Sequence, residues 1–159
     1  MSTMLKIQCL VISKPKPEWS VLIQHYLQLL HGRAMITHHY FSPEKFTDIS
    51  QRQAVITAEA KQLRKYLSAD TVVIACSERG RSYTTQKFSE HLLQWSEAEQ
   101  RTLTFVIGGP LGLDPEFERE AQHLLALSTL TFPHDLAHVV LLEQIYRATT
   151  LQSGKTYHY

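Results

Sequence analysis

The sequence predicts a parallel α/β sheet with helices on both faces, built as one domain over residues 1–159. Three observations lead there. Short apolar, β-branched runs alternate with helical patterns along the whole chain. With 159 residues, 43% hydrophobic and 19% charged, the chain can bury one core and is not globally disordered. No internal repeat or low-complexity stretch interrupts the alternation.

The elements follow in order. Leu5-Lys6-Ile7-Gln8-Cys9-Leu10-Val11-Ile12 alternates at first and then turns fully apolar, as a strand buried in a sheet does. Pro15 and Pro17 end it. Pro17 then opens a helix through Trp19, Val21, Leu22, Ile23, Tyr26, Leu27, Leu29 and Leu30, which Gly32 closes. Ala34 to Tyr40 forms a second strand, and the turn-rich segment from Phe41 to Ser50 a loop. Gln51 to Leu67 holds good helix formers with a basic face of Lys61, Arg64 and Lys65.

Thr71 to Cys76 is a third strand, unbroken by charge, and Thr84 or Thr85 caps a helix through Phe88, Leu92, Leu93 and Trp95. A fourth strand, Thr102 to Ile107, runs straight into Gly108-Gly109-Pro110-Leu111-Gly112. Asp114 as cap, Pro115 at the first position and Glu116 and Glu118 in the first turn mark a helix start. Leu127 to Phe132 is expected as a short fifth strand. Pro133 opens a last helix ending near Leu151, before Gly154.

Composition narrows the function. Sixteen Lys and Arg against fifteen Asp and Glu give a net charge of +1, far from a basic nucleic-acid arm. Two cysteines, Cys9 and Cys76, without C-x-x-C spacing, argue against a disulfide scaffold and a cysteine zinc site and suit a reducing cytosol. No apolar run approaches a membrane span, and Met1 to Lys6 lacks the marks of a signal peptide, so a cytoplasmic protein is expected. Protonating all nine histidines would add nine positive charges to that +1.

In parallel sheets ligands sit in loops leaving the carboxyl ends of strands, which draws attention to the loops after Cys76, Ile107 and Leu127. The three glycines of the 108–112 loop let backbone amides approach a ligand; the plain alternative is a tight turn needing positive φ. Ser128, Thr129 and Thr131, followed by Pro133-His134, could hold the polar rim of a nucleoside or merely bond neighbouring backbone. His134 and His138 stand four apart, a spacing that can ligate zinc, but the Glu of the zinc-protease pattern is missing. His38 and His39 point to opposite sides of a strand. No metal is expected. Arg79, Arg81 and Tyr83 could meet phosphates, and Tyr157-His158-Tyr159 could stack on a base; a solvated face and a frayed end are the plain readings. No Ser-His-Asp order or carboxylate pair supports a hydrolase.

Taken together, Phe105 to Leu113, Leu127 to His134, Val139 to Ala148 and the terminal Tyr157-His158 resemble the RlmH family of SPOUT methyltransferases. The resemblance is strong over residues 102–159 and faint over 1–100. It implies a cytoplasmic homodimer with a carboxyl-terminal trefoil knot, using S-adenosyl-L-methionine to methylate N3 of a pseudouridine in 23S rRNA within the ribosome. It also implies a cofactor site made of Cys76, Gly108, Gly109, Ser128, Thr129, Leu130, Thr131, Phe132 and Pro133. Methyl transfer needs alignment and removal of the acceptor's proton. His158 or His134 is the expected proton acceptor, and Arg147 the cation that stabilises the developing anion. Where the family usually carries Arg and Asp, this chain has His138 and Ser77. A SPOUT methyltransferase with another RNA target, and a non-catalytic ribosome-binding module, are the alternative readings. The apolar stripe Leu136, Val139, Val140, Leu142 and Ile145 either joins two copies or packs only on the sheet.

Overall fold

In the computed structural model, which describes residues 4–97 and 101–154, five strands form one sheet. They are β1 (Leu5–Val11), β2 (Ala34–Tyr40), β3 (Thr71–Arg81), β4 (Thr102–Ile107) and β5 (His123–Leu125). Their order is β2-β1-β4-β3-β5, and every neighbouring pair is parallel. The helices are α1 (Pro17–Leu30), α2 (Arg52–Arg64), α3 (Thr85–Glu97), α4 (Pro115–Glu120) and α5 (His134–Gln152).

Alternation in the strands sorts the core into two layers. Ile7, Cys9, Ile74, Leu103 and Phe105 face α1, α3 and α5, where Ile23, Leu92, Leu142 and Ile145 close over them. Leu10, Ile12, Val73, Ala75 and Val106 face the other way, onto Leu63 of α2 and Phe117 of α4. The sheet is therefore covered on both faces, and β1, β4 and the 71–75 part of β3 are buried almost throughout.

Local chemistry sets the helix ends. Pro17 and Pro115 take the first helical positions, where a missing N–H costs nothing. Asp114 accepts from the Glu116 and Phe117 amides at 2.7 and 3.4 Å. Thr84, rather than Thr85, caps α3 by accepting from the Lys87 amide at 3.2 Å.

The fifth strand departs from expectation: it lies at His123–Leu125, and Leu127 to Phe132 belongs to no strand. The cause is β3. Ile74, Ala75 and Cys76 pair with β5, then residues 77–80 swing out of the ladder, and Arg81 returns to the same partner, Leu125. The Arg81 carbonyl accepts from the Ala126 amide at 3.0 Å, and beyond that point the chain has no strand to pair with. Alternating apolar and hydroxyl residues cannot make a strand without a neighbour.

Candidate active site

Cys76, where β3 leaves the ladder, lies in register with Ile107 and Leu125, the last residues of β4 and β5. Above them lies a cleft of about 190 Å3. Its walls are the 77–79 excursion of β3, the glycine loop after β4, the 127–132 segment after β5 and the first turn of α5.

The glycine loop is a tight turn in which the Gly112 amide donates to the Gly109 carbonyl at 3.0 Å. Gly112 has φ +80°, which only glycine adopts cheaply. At Gly109 a Cβ would meet Ile12 Cγ2 at 3.0 Å and the Glu59 carboxylate at 3.4 Å, neither of which lines the cleft. What Gly109 presents to the cleft is therefore backbone. The plain reading of the motif, a turn that demands glycine, holds at Gly112, and Gly108 and Gly109 lie on the cleft wall.

The 127–132 segment lies over the opening as irregular chain, so its amides and carbonyls are not consumed by a ladder. The Ser128 hydroxyl accepts from the Leu130 amide at 2.9 Å, and the Thr131 hydroxyl donates to Glu78 Oε2 at 2.7 Å. That second bond joins the segment to the β3 excursion across the cleft. Below it, Arg79 donates to the buried Glu118 at 2.7 Å, tying the excursion to α4. Gly80 makes the return to the ladder possible, because a Cβ there would lie 2.6 Å from the Leu124 carbonyl carbon.

Seven of the nine expected cofactor residues meet in this one cleft: Cys76, Gly108, Gly109, Ser128, Leu130, Thr131 and Phe132. Thr129 and Pro133 border it in sequence without lining it. His134 lines it as well, with Nε2 3.7 Å from Asp135 Oδ1. Arg147 does not reach it. Thirteen residues further along α5, roughly 20 Å at helical rise, it is paired with Glu143 at 2.8 Å. His158 lies outside the described residues.

Glu78, Arg79 and Glu118 were not singled out as a unit in the sequence. Partners 39 and 53 residues apart leave no periodic signal; only the position of Glu78 and Arg79 just after a strand end pointed there. Apolar walls from Ile107, Leu113, Leu125, Leu127 and Phe132 with a polar rim of backbone, hydroxyls and Glu78 suit a nucleoside. Burial pushes the Cys76 thiol up to about 12, which keeps it protonated at neutral pH.

The other sequence candidates fall elsewhere. Arg64 of the basic face forms a two-pronged bond to Glu120, both at 2.9 Å, and Arg81 lies over the Tyr83 ring at 5.3 Å. His38 and His39 do take opposite faces: His38 packs on His138, His39 on Tyr66. His138 is fully buried in the α5 face of the core, away from the cleft that His134 lines. Burial holds His38 to about 4 and His138 to about 3, so mild acid adds less charge than nine free histidines would. Of the α5 stripe, Val139, Leu142 and Ile145 are buried in the core and Leu136 and Val140 half-buried. Among the described residues no helix is long and apolar enough to cross a membrane.

The family model "Predicted SPOUT methyltransferase" matches residues 5–158. A protein of Paraburkholderia phymatum named ribosomal RNA large subunit methyltransferase H is 30% identical over 155 residues, 97% of this chain and 99% of that protein. One of the same name from Caulobacter vibrioides is 37% identical over 127 residues, covering 80% of this chain and 79% of the relative. Among solved structures, a probable methylase family protein from Haemophilus influenzae Rd KW20 superposes with a TM-score of 0.55. It is 18% identical and the match covers 98% of this chain and 72% of that one, a likeness of fold.

Proposed function

Since the chain belongs to the SPOUT methyltransferase family, we propose that it is an S-adenosyl-L-methionine-dependent methyltransferase acting on N3 of a pseudouridine in 23S rRNA of the large ribosomal subunit. The observation that carries this reading is the convergence, at the ends of three parallel strands, of a glycine turn and an unpaired hydroxyl-bearing segment. The names borne by its relatives supply the RNA as substrate.

The cofactor, when bound, supplies a methyl group on a sulfonium, an electrophile that needs neither a metal nor a protein nucleophile. The chain's own residues do the rest. Backbone of Gly108, Gly109 and residues 127–132 holds the adenosine, with Ile107, Leu125, Leu127 and Phe132 excluding water from its faces. Glu78 and Thr131 fix the segment across the opening, which turns alignment into a property of the resting protein. His134, on the wall and partly exposed, takes the N3 proton of the pseudouridine. His158 is the second candidate for that step.

Arg147, tied to Glu143 far along α5, can serve this cleft only from a second copy. The reading therefore includes a homodimer; membership of the family adds a threaded carboxyl-terminal knot and a cytoplasmic location to the proposal. With a net charge of +1, contact with the ribosome depends on local patches and on the surface two copies build together.

Calorimetric titration with S-adenosyl-L-methionine tests the site, comparing the parent with Ser128→Trp, which places an indole in the cleft. Saturable binding in the parent, lost in a variant with unchanged thermal unfolding, is the expected result. A parent that binds nothing at millimolar cofactor, with or without ribosomes, contradicts the proposal.

A further inference from the structure

We propose that Cys9, His38 and His138 form a buried site for one copper(I) ion, between the edge of the sheet and the start of α5. The three residues come together from three elements. Parallel register sets Cys9 of β1 directly beside His38 of β2, on the face that α5 covers. His138, one turn into α5, comes down onto that pair, its ring centre 4.9 Å from that of His38. One potential ligand atom from each residue lies within 4.8 Å of the other two.

The two imidazoles are left with unmet bonding capacity. Nε2 of His38 and Nε2 of His138 are both buried without a hydrogen-bond partner, and His138 is only 1% exposed. A buried polar nitrogen without a partner is costly, and a native fold normally satisfies it. A metal ion does so for both nitrogens at once. Bonds of about 2.0–2.3 Å to a d10 ion put three ligand atoms roughly 3.5–3.8 Å apart. The closure required is at most about 1.3 Å, within reach of small rotations of the two rings.

Charge and ligand count choose the ion. One thiolate and two imidazoles suit thiophilic cations, copper(I) and zinc(II) foremost. Burial holds the Cys9 thiol protonated, so metal binding displaces its proton to the buffer; with the resulting thiolate, copper(I) gives a neutral site, whereas zinc(II) leaves a positive charge in an interior where Cys9 is 0% exposed. Copper(I) is content with three ligands; zinc(II) prefers four, and the cluster of described residues supplies three. Tyr40 packs against both rings at 5.9 Å as an aromatic wall. The entry path is the sheet edge, because β2 is an outer strand and His38 is only partly buried. The site is separate from the methyl-transfer cleft and shares no residue with it.

The test is an anaerobic titration of the metal-free full chain with copper(I) held by bicinchoninate, read from the absorbance of the competing chelator. The parent takes one equivalent from the chelator, and its thermal midpoint rises on loading. Cys9→Ser and His138→Gln, each checked for a cooperative melt, lose that equivalent; Cys76→Ser keeps it. No uptake by the parent overturns the proposal. So does uptake that survives in folded Cys9→Ser and His138→Gln, or zinc(II) bound in preference to copper(I).

Discussion

Replacing Gly80 by alanine strikes the point where the β3 excursion rejoins the sheet. A Cβ at that position lies 2.6 Å from the Leu124 carbonyl carbon and 2.7 Å from the Leu125 amide nitrogen and carbonyl carbon. Ordinary contact begins near 3.4 Å, so the two backbones must part by about 0.8 Å. Neither obstacle is a side chain that can rotate away. Overpacking of this kind costs about 1–3 kcal/mol. Stretching the Ala126 to Arg81 bond, 3.0 Å in the parent, adds about 1 kcal/mol. Together that is roughly 2–4 kcal/mol, a fall in thermal midpoint of about 4–16 °C for a domain of this size. Because the same junction aims residues 77–79 and 127–132 at the cleft, cofactor affinity falls too. Gly32→Ala is the control: φ is +76° there with nothing within 4 Å of the new Cβ. It costs about 1–2 kcal/mol of backbone strain and leaves cofactor affinity as it was. Urea unfolding with calorimetric cofactor titration reads both effects. Gly80→Ala within 0.5 kcal/mol of the parent (about the scatter of a neutral surface change), with unchanged affinity, refutes the reasoning.

Two further predictions concern single groups. Thr131→Val removes the donor to Glu78 at an exposed site, so stability stays near the parent's while cofactor affinity, read by calorimetry, drops about 5-fold, the equivalent of ~1 kcal/mol. Burial pushes the Glu59 carboxyl above the usual carboxylate range. As pH rises, the unfolded chain therefore loses its proton first, and the fold pays a penalty that persists at neutral pH. Glu59→Gln can still accept from the Glu44 amide, 3.0 Å away in the parent. It should melt higher than the parent at pH 7, with the difference shrinking as pH falls through about 4 toward about 3, where the acid is protonated in both states. An equal or lower midpoint at pH 7 contradicts that cause.

Much of this fold was legible in sequence because it is written in local periodicity. The second strand, Ala34 to Tyr40, and the Asp114-Pro115 helix start need only neighbours in the chain to be recognised. The fifth strand was misplaced because the alternation of Leu127 to Phe132 says nothing about whether a partner strand is present, and residues 77–80 had taken the partner away. The glycine turn and the hydroxyl segment could each be noticed alone; that they share one cleft depends on the order of β4, β3 and β5. The Thr131–Glu78 and Arg79–Glu118 links, and the meeting of Cys9, His38 and His138, are tertiary facts with no sequence period behind them. His134 and His138 show the limit of spacing arguments: one helix, four residues apart, and two different environments.

The measurement that bears most directly on the central claim is transfer of labelled methyl from S-adenosyl-L-methionine to ribosomes whose 23S rRNA lacks the modification, with the modified nucleotide mapped by mass spectrometry. One methyl group per ribosome, on N3 of a pseudouridine in the large-subunit RNA and abolished by Ser128→Trp, is the expected result. Label that appears on a different nucleotide, or that persists undiminished with the cleft filled, contradicts it.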